Sequence, residues 1–162
     1  MEDTDGEQTL FTKWNQHLTG ESVAIITRGS HTLGFAFVYD DLDVSVNLNI
    51  GEWYNVSATF DAATLRRKLY VNGALLGTDI ATTALTNSDD GDWIIGKRSF
   101  NFEPLNLAGT VDEVSVWDVV LSESQVQSFM SIPPLGDEEN LIGSWDFNEG
   151  SGLTSFDQSG NG

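Results

Sequence analysis

EWYNVSATFDAATLRRKLYVNGALLGTD, residues 52–79, is the stretch that decides the fold. Its first half alternates. Trp53, Asn55, Ser57 and Thr59 stand against Tyr54, Val56, Ala58 and Phe60, and the second set reads as the core face of a strand. Its second half places Asn72-Gly73 between KLYV and ALLG. An Asn-Gly pair supplies positive φ at both central positions of a type I′ turn, so this segment predicts a β-hairpin.

The same grammar extends in both directions. Short runs rich in β-branched and aromatic residues lie at 9–14, 22–28, 33–39, 44–48, 53–60, 68–71, 74–77, 93–95, 110–117 and 141–147, divided by Gly, Asn and Asp. In 33–39, Leu33, Phe35, Phe37 and Tyr39 form a bulky face and Gly34, Ala36 and Val38 a small one, as a strand in a two-layer sandwich requires. One helix is expected at 123–130. Ser122 and Gln125 form its capping box, Val126 and Phe129 face inward, and Pro133, Pro134 and Gly136 stop it. About ten strands and one short helix predict an all-β, two-sheet antiparallel β-sandwich.

Composition narrows the function. The chain has 162 residues, 40% hydrophobic, enough for one domain with an ordinary core. Cysteine is absent, which excludes disulfides, thiolate metal sites and thiol nucleophiles. No apolar run reaches a bilayer span, so membrane insertion is not expected, and any export signal lies outside this sequence. With 25 acidic residues against 7 basic ones, the formal net charge is −18. That field repels nucleic acid and anionic lipid, and either solvates the surface or recruits divalent cations.

The order of the pieces carries a resemblance. EWYNVSATFD, KLYVNGALLGTD, WIIGKR and AGTVDEVSVWDVVLSESQVQ stand in sequence, and the chain closes on LIGSWDFNEGSGLTSFDQSGNG. This set resembles the laminin-G-like jelly rolls of the concanavalin A-like lectin-glucanase superfamily, in their bacterial, pentraxin-related form. The resemblance implies a single jelly-roll domain over 1–162, with 137–162 either packing on the sandwich or starting a continuation. Strands that usually precede 9–14 in the family are missing, so a complementing strand or neighbouring domain is an expected partner.

Catalytic chemistry is sparse. Glycan-cleaving relatives carry alternate carboxylates as Glu-x-Asp-x-Glu, and that pattern is absent. Asp112 and Glu113 are adjacent in the expected strand 110–117, so they would point to opposite faces. Glu7 lies in an expected loose start. His17 and His31 have no carboxylate close by in sequence. No enzyme is expected.

Calcium is the expected cofactor, since it takes oxygens from Gly-bearing loops. The resemblance suggests a structural ion near Asp112 and near the tail turn holding Asp157 and Asn161. A second loop offers Asp89, Asp90 and Asp92, and a third runs over 40–43. Turn preference alone also accounts for these residues. Family positions give Trp53, Trp117 and Trp145 to packing in the core or at its rim. Ligand contact is expected of Trp14 with Asn15, Arg28 with His31, Tyr39, and Arg98 with Phe100, where aromatic faces and hydrogen-bonding groups coincide. Arg66, Arg67 and Lys68 read as a solvated basic turn.

Together these features imply a non-catalytic carbohydrate-binding or adhesion module of a larger secreted or cell-surface protein, assisted by calcium, with a glycan or cell-surface ligand. The alternative is a structural or protein-binding module, and the third reading is a glycan-cleaving enzyme.

Overall fold

Alternation builds the first sheet. β3 (Thr32–Phe37) puts Leu33, Phe35 and Phe37 on one side, all buried. β4 (Asp40–Ser45) does the same with Leu42 and Val44, while Asp41, Asp43 and Ser45 point away. β2 (Val23–Arg28) and β1 (Glu7–Lys13) continue the sheet, and β8 (Trp93–Ile95) closes it in the order β4-β3-β2-β1-β8, all antiparallel. β1 carries a bulge between Thr9 and Phe11. This computed structural model describes residues 6–13, 22–85, 92–100 and 103–161.

The second sheet grows from the Asn72-Gly73 hairpin. β5 (Val56–Asp61), β6 (Arg66–Val71) and β7 (Ala74–Ile80) lie in that order, antiparallel. Asn72 and Gly73 have φ of 49° and 73°, as a type I′ turn demands. Leu69 and Val71 join Leu33, Phe35, Phe37, Leu42 and Val44 in one apolar cluster, with Val56, Ala58 and Phe60 packed against it. The expected sandwich core is present, and the core face of 53–60 is the one expected. Gly77 marks how closely the layers approach, because a Cβ there would collide with Val44 Cγ1.

Arg67 corrects the expectation of a solvated basic turn. Its side chain is fully buried over the Phe37 ring, 4.8 Å from the centroid. Nε and Nη2 donate to the two carboxylate oxygens of Asp79 at 2.9 and 2.6 Å. Nη2 also donates to Asp40 Oδ1 at 2.9 Å, and Nη1 to the Asp40 carbonyl. The other Asp40 oxygen accepts from Thr82 N and Oγ1 at 2.6 and 2.9 Å. The alternation of β6 turns position 67 inward, where two aspartates supply the pairing that a buried guanidinium needs. Burial, which lowers the Arg67 pKa, is outweighed by Asp79 and Asp40, and it ends above its usual value.

Three further expectations change. The loop expected at 40–43 is the start of β4. The segment 99–107, which holds Phe100 and in which no strand is expected from the sequence, contains a short hairpin, β9 (Ser99–Phe100) with β10 (Glu103–Pro104). Glu7 is not in a loose start but opens β1.

The chain divides into two compact units, Met1–Thr110 and Val111–Gly162. The second contains β11 (Val114–Trp117), α1 (Glu123–Ser131) and β12 (Leu141–Trp145), with β11 antiparallel to β12. Strand 110–117 is shorter than expected because Glu113 has φ of 53°, which breaks extended structure before Val114. Asp112 and Glu113 therefore lie outside the strand. The expected capping box is present. Ser122 Oγ accepts from Gln125 N, and Ser122 N donates to Gln125 Oε1 at 2.9 Å. Val126 is buried, and the Phe129 ring lies 4.7 Å from that of Trp117.

Candidate functional site

The face of the five-stranded sheet opposite the core is set by register. Glu7 stands against Arg28, Ile26 against Gly34, Gly34 against Asp43, and Ala36 against Asp41. On β2 and β3 this face is apolar and buried, with Ala24, Ile26 and Ala36 in contact. Charge lies beside it, from Arg28 across to β4. Arg28 Nε lies 3.3 Å from Glu7 Oε2, and Nη2 donates to Asp41 Oδ2 at 2.5 Å. Nη1 donates to Asp43 Oδ1, and Arg98 Nη2 donates to Glu7 Oε1.

Gly34 makes the array possible. A Cβ at this position would sit 2.7 Å from Asp43 Oδ1, 3.0 Å from Arg28 Nη1 and 3.1 Å from Ile26 Cγ1. Its absence lets the Arg28 side chain cross β3 and reach the carboxylates of β4. Arg28 pairs with Thr32, and Thr32 with Ser45, yet its guanidinium meets Asp43 and Asp41. The side chain therefore leans toward the β3–β4 turn.

The array is partly exposed at Arg28 and Asp43, with side-chain exposures of 32% and 44%, while Arg98 is buried. Burial raises the Asp41 pKa against the opposing effect of Arg28, and the Asp43 charge adds to the rise. Burial also lowers that of Arg98. Asp41 and Asp43 stand at alternate positions of one strand face and share one guanidinium. The arrangement sets one guanidinium among three carboxylates, leaving acceptor oxygens of Asp41 and Asp43 at the surface.

Of the expected ligand residues, the structure joins Arg28 and Arg98 through Glu7. His31 is exposed in the β2–β3 turn. Tyr39 is exposed in the β3–β4 turn, about 25 Å from His31 at the rise of a strand. These two are not brought together. Trp14, Asn15, Asp89 and Asp90 lie outside the described residues, as does the side chain of Phe100. Trp53 departs from its packing expectation and is 66% exposed. Tyr54 takes the inward place in that alternation, its hydroxyl donating to Glu52 Oε2 at 2.9 Å.

Of the expected calcium donors, Asp92, Asp112, Asp157 and Asn161 fall among the described residues. Asp92 is exposed just before β8. Asp112 is exposed, and its Oδ1 accepts from Glu113 N at 3.1 Å. Asp157 Oδ1 accepts from Ser144 N and Ser159 N, both at 2.8 Å, and Asn161 Nδ2 donates to the Leu141 carbonyl at 3.0 Å. The tail turn thus caps β12. Among the described residues no group of three or more His, Asp and Glu side chains is placed to hold a metal ion.

Sequence reading missed Glu7, Asp41, Asp43 and Gly34 as members of the site. The alternation of 40–45 would have put Asp41 and Asp43 on one face. Nothing local links Glu7 to Arg98, which lie 91 positions apart.

A family model, Laminin_G_3, described as Concanavalin A-like lectin/glucanases superfamily, matches residues 2–127. A crystal structure from Bacteroides ovatus, described as that of "a putative carbohydrate binding protein", aligns with TM-score 0.81 and 19% identity, covering 99% of this chain and 47% of its own. This chain thus spans about half of that structure. A native heptameric SAP-like pentraxin from Limulus polyphemus aligns with TM-score 0.52 and 18% identity, over 80% of this chain and 67% of its own. At these identities the likeness is one of fold. No curated protein matches the chain. Among the described residues no helix is long and apolar enough to cross a membrane.

Proposed function

The chain belongs to the Laminin_G_3 family of the concanavalin A-like lectin/glucanases superfamily, and from that premise we propose that it is a non-catalytic carbohydrate-binding module of a larger secreted or cell-surface protein. The observation that carries this reading is the array of partly exposed Glu7, Arg28, Asp41 and Asp43, backed by the buried Arg98, on the sheet face opposite the main apolar cluster. Its carboxylates accept from sugar hydroxyls, and the Arg28 N–H groups left over from its three carboxylate pairs donate to sugar oxygens. A fold hosts many functions, so the array supplies the argument and the family supplies the context. Adhesion is the role such a module would serve at a surface.

Calcium assistance is the second element. Its support is the supply of oxygen donors at Asp89, Asp90, Asp92, Asp112, Asp157 and Asn161 on a chain of charge −18. A panel of immobilised neutral polysaccharides tests both elements when run with millimolar calcium and with chelator. The expected result is retention of at least one polysaccharide by the wild type and its loss in Arg28→Met. Melting curves of the same samples should rise on adding calcium, because a ligand specific to the native state stabilises it. Retention of no polysaccharide overturns the glycan reading, and an unchanged melting curve removes the calcium.

A further inference from the structure

Tyr39 occupies a conformation that its own chemistry disfavours. Its φ is 60°, in the left-handed region where a Cβ crowds the backbone and glycine is the natural occupant. Leu65 and Phe147 share this region, with φ of 57° and 50°, but both are half-buried and packing can hold them there. Tyr39 is 89% exposed. Packing therefore does not explain an aromatic ring at this position.

The surroundings hold the turn rigidly. Phe37, just before it, lies under the Arg67 guanidinium. Val38 is buried. Asp40, just after it, is gripped through its carbonyl and carboxylate by the same fully buried arginine and through its second oxygen by Thr82. Both ends of a two-residue turn are thus fixed to the core. Strain of this kind persists where the surrounding structure over-determines it, and it gathers at binding sites. Tyr39 is also two residues from Asp41, a separation of about 7 Å, at the end of the face toward which Arg28 leans.

We propose that Tyr39 is the aromatic contact of the charged array, held in a strained turn so that its ring meets the face of a neutral sugar bound by Arg28, Asp41 and Asp43. This rests on the glycan-binding reading above. The neutral class follows from charge. Arg28 and Arg98 are both committed to carboxylates, and the surrounding surface is acidic, so sulfated or uronate chains would meet repulsion.

The test titrates wild type, Tyr39→Gly, Tyr39→Phe and Arg28→Met by calorimetry with a soluble β-glucan, a galactan, a mannan and a sulfated galactan, and records a melting curve for each protein. Tyr39→Gly is expected to melt at or above the wild type, since glycine relieves the left-handed strain. Its affinity for the neutral polysaccharide that wild type binds should fall roughly three- to tenfold, the worth of one aromatic contact. Tyr39→Phe keeps the ring and should bind as wild type does. A Tyr39→Gly variant that binds like wild type, or melts below it, overturns the proposal. If Arg28→Met loses binding while Tyr39→Gly keeps it, the glycan site stands and the role of Tyr39 falls. Preference for the sulfated galactan overturns the neutral class, and a wild type that binds none of the four removes both readings.

Discussion

Arg67 shows how one residue ties two layers together. It joins Asp40 at the head of β4 to Asp79 in β7, and its guanidinium lies over Phe37 of β3. Replacing it by methionine keeps much of the volume but leaves both aspartates without their partner. The expected cost is about 3–5 kcal/mol, the usual penalty for breaking a buried pair from one side. That corresponds to a melting temperature lower by roughly 6–20 °C for a chain of this size. Adding Asp79→Asn to Arg67→Met should cost less than the two single changes summed, because the second charge is no longer stranded. Additive losses in thermal melts would mean the pair is not coupled. None of this was legible locally. RRK reads as a basic turn, and only the register of β6 shows that position 67 faces inward while positions 66 and 68 do not.

At the scale of elements, the hairpin was the most legible feature because its cause is local. Asn72 takes φ of 49° and Gly73 of 73°, and Asn72 is further held by donating its N–H to the Asn55 carbonyl at 2.8 Å and accepting from Asn55 N at 2.9 Å. Gly73→Ala places a Cβ in the left-handed region. The strain, offset in part by a less flexible unfolded chain, should cost about 1 kcal/mol. The melting temperature should then fall by roughly 2–4 °C, and a variant that melts like the wild type would contradict the turn assignment. The capping box of α1 was readable for the same reason, since its partners are three residues apart. β4 was misplaced because Asp40, Asp41 and Asp43 resemble a turn, and their strand character comes from Leu42 and Val44 docking on the second sheet. The candidate site was the least legible part. Its ion pairs join β1, β2 and β4 to the segment after β8, and the glycine that admits them sits in β3.

For the whole molecule, acid stability follows from how the carboxylates are held. Among the described residues, Asp40, Glu52, Asp61, Glu138, Glu149 and Asp157 have lowered pKa values, while Asp41 and Glu113 have raised ones. At Asp40 and Asp157 burial pushes upward and is outweighed by hydrogen bonds, from Thr82 with Arg67 in one case and from Ser144 and Ser159 in the other. At Glu52, Asp61 and Glu149 the hydrogen bonds lead. A lowered carboxylate contributes stability above its unfolded value, near pH 4, and loses it as pH falls through the folded value. A raised one works in the opposite sense, favouring the fold as it protonates. The lowered carboxylates, with Asp40 and Asp157 tied to backbone amides of other segments, favour lower stability in acid. Self-repulsion opposes it, because protonation also relieves a net charge of −18. Salt separates the two effects. At about 0.5 M sodium chloride the Debye length is only a few ångströms, so long-range repulsion is screened while hydrogen-bonded carboxylates keep their partners. Salt should therefore raise the melting temperature at pH 7. In the same high salt, the melting temperature should fall as pH is lowered from about 5 to 3. A flat or rising profile over that range would mean that the carboxylates held by hydrogen bonds contribute less to the fold than the repulsion that their protonation relieves.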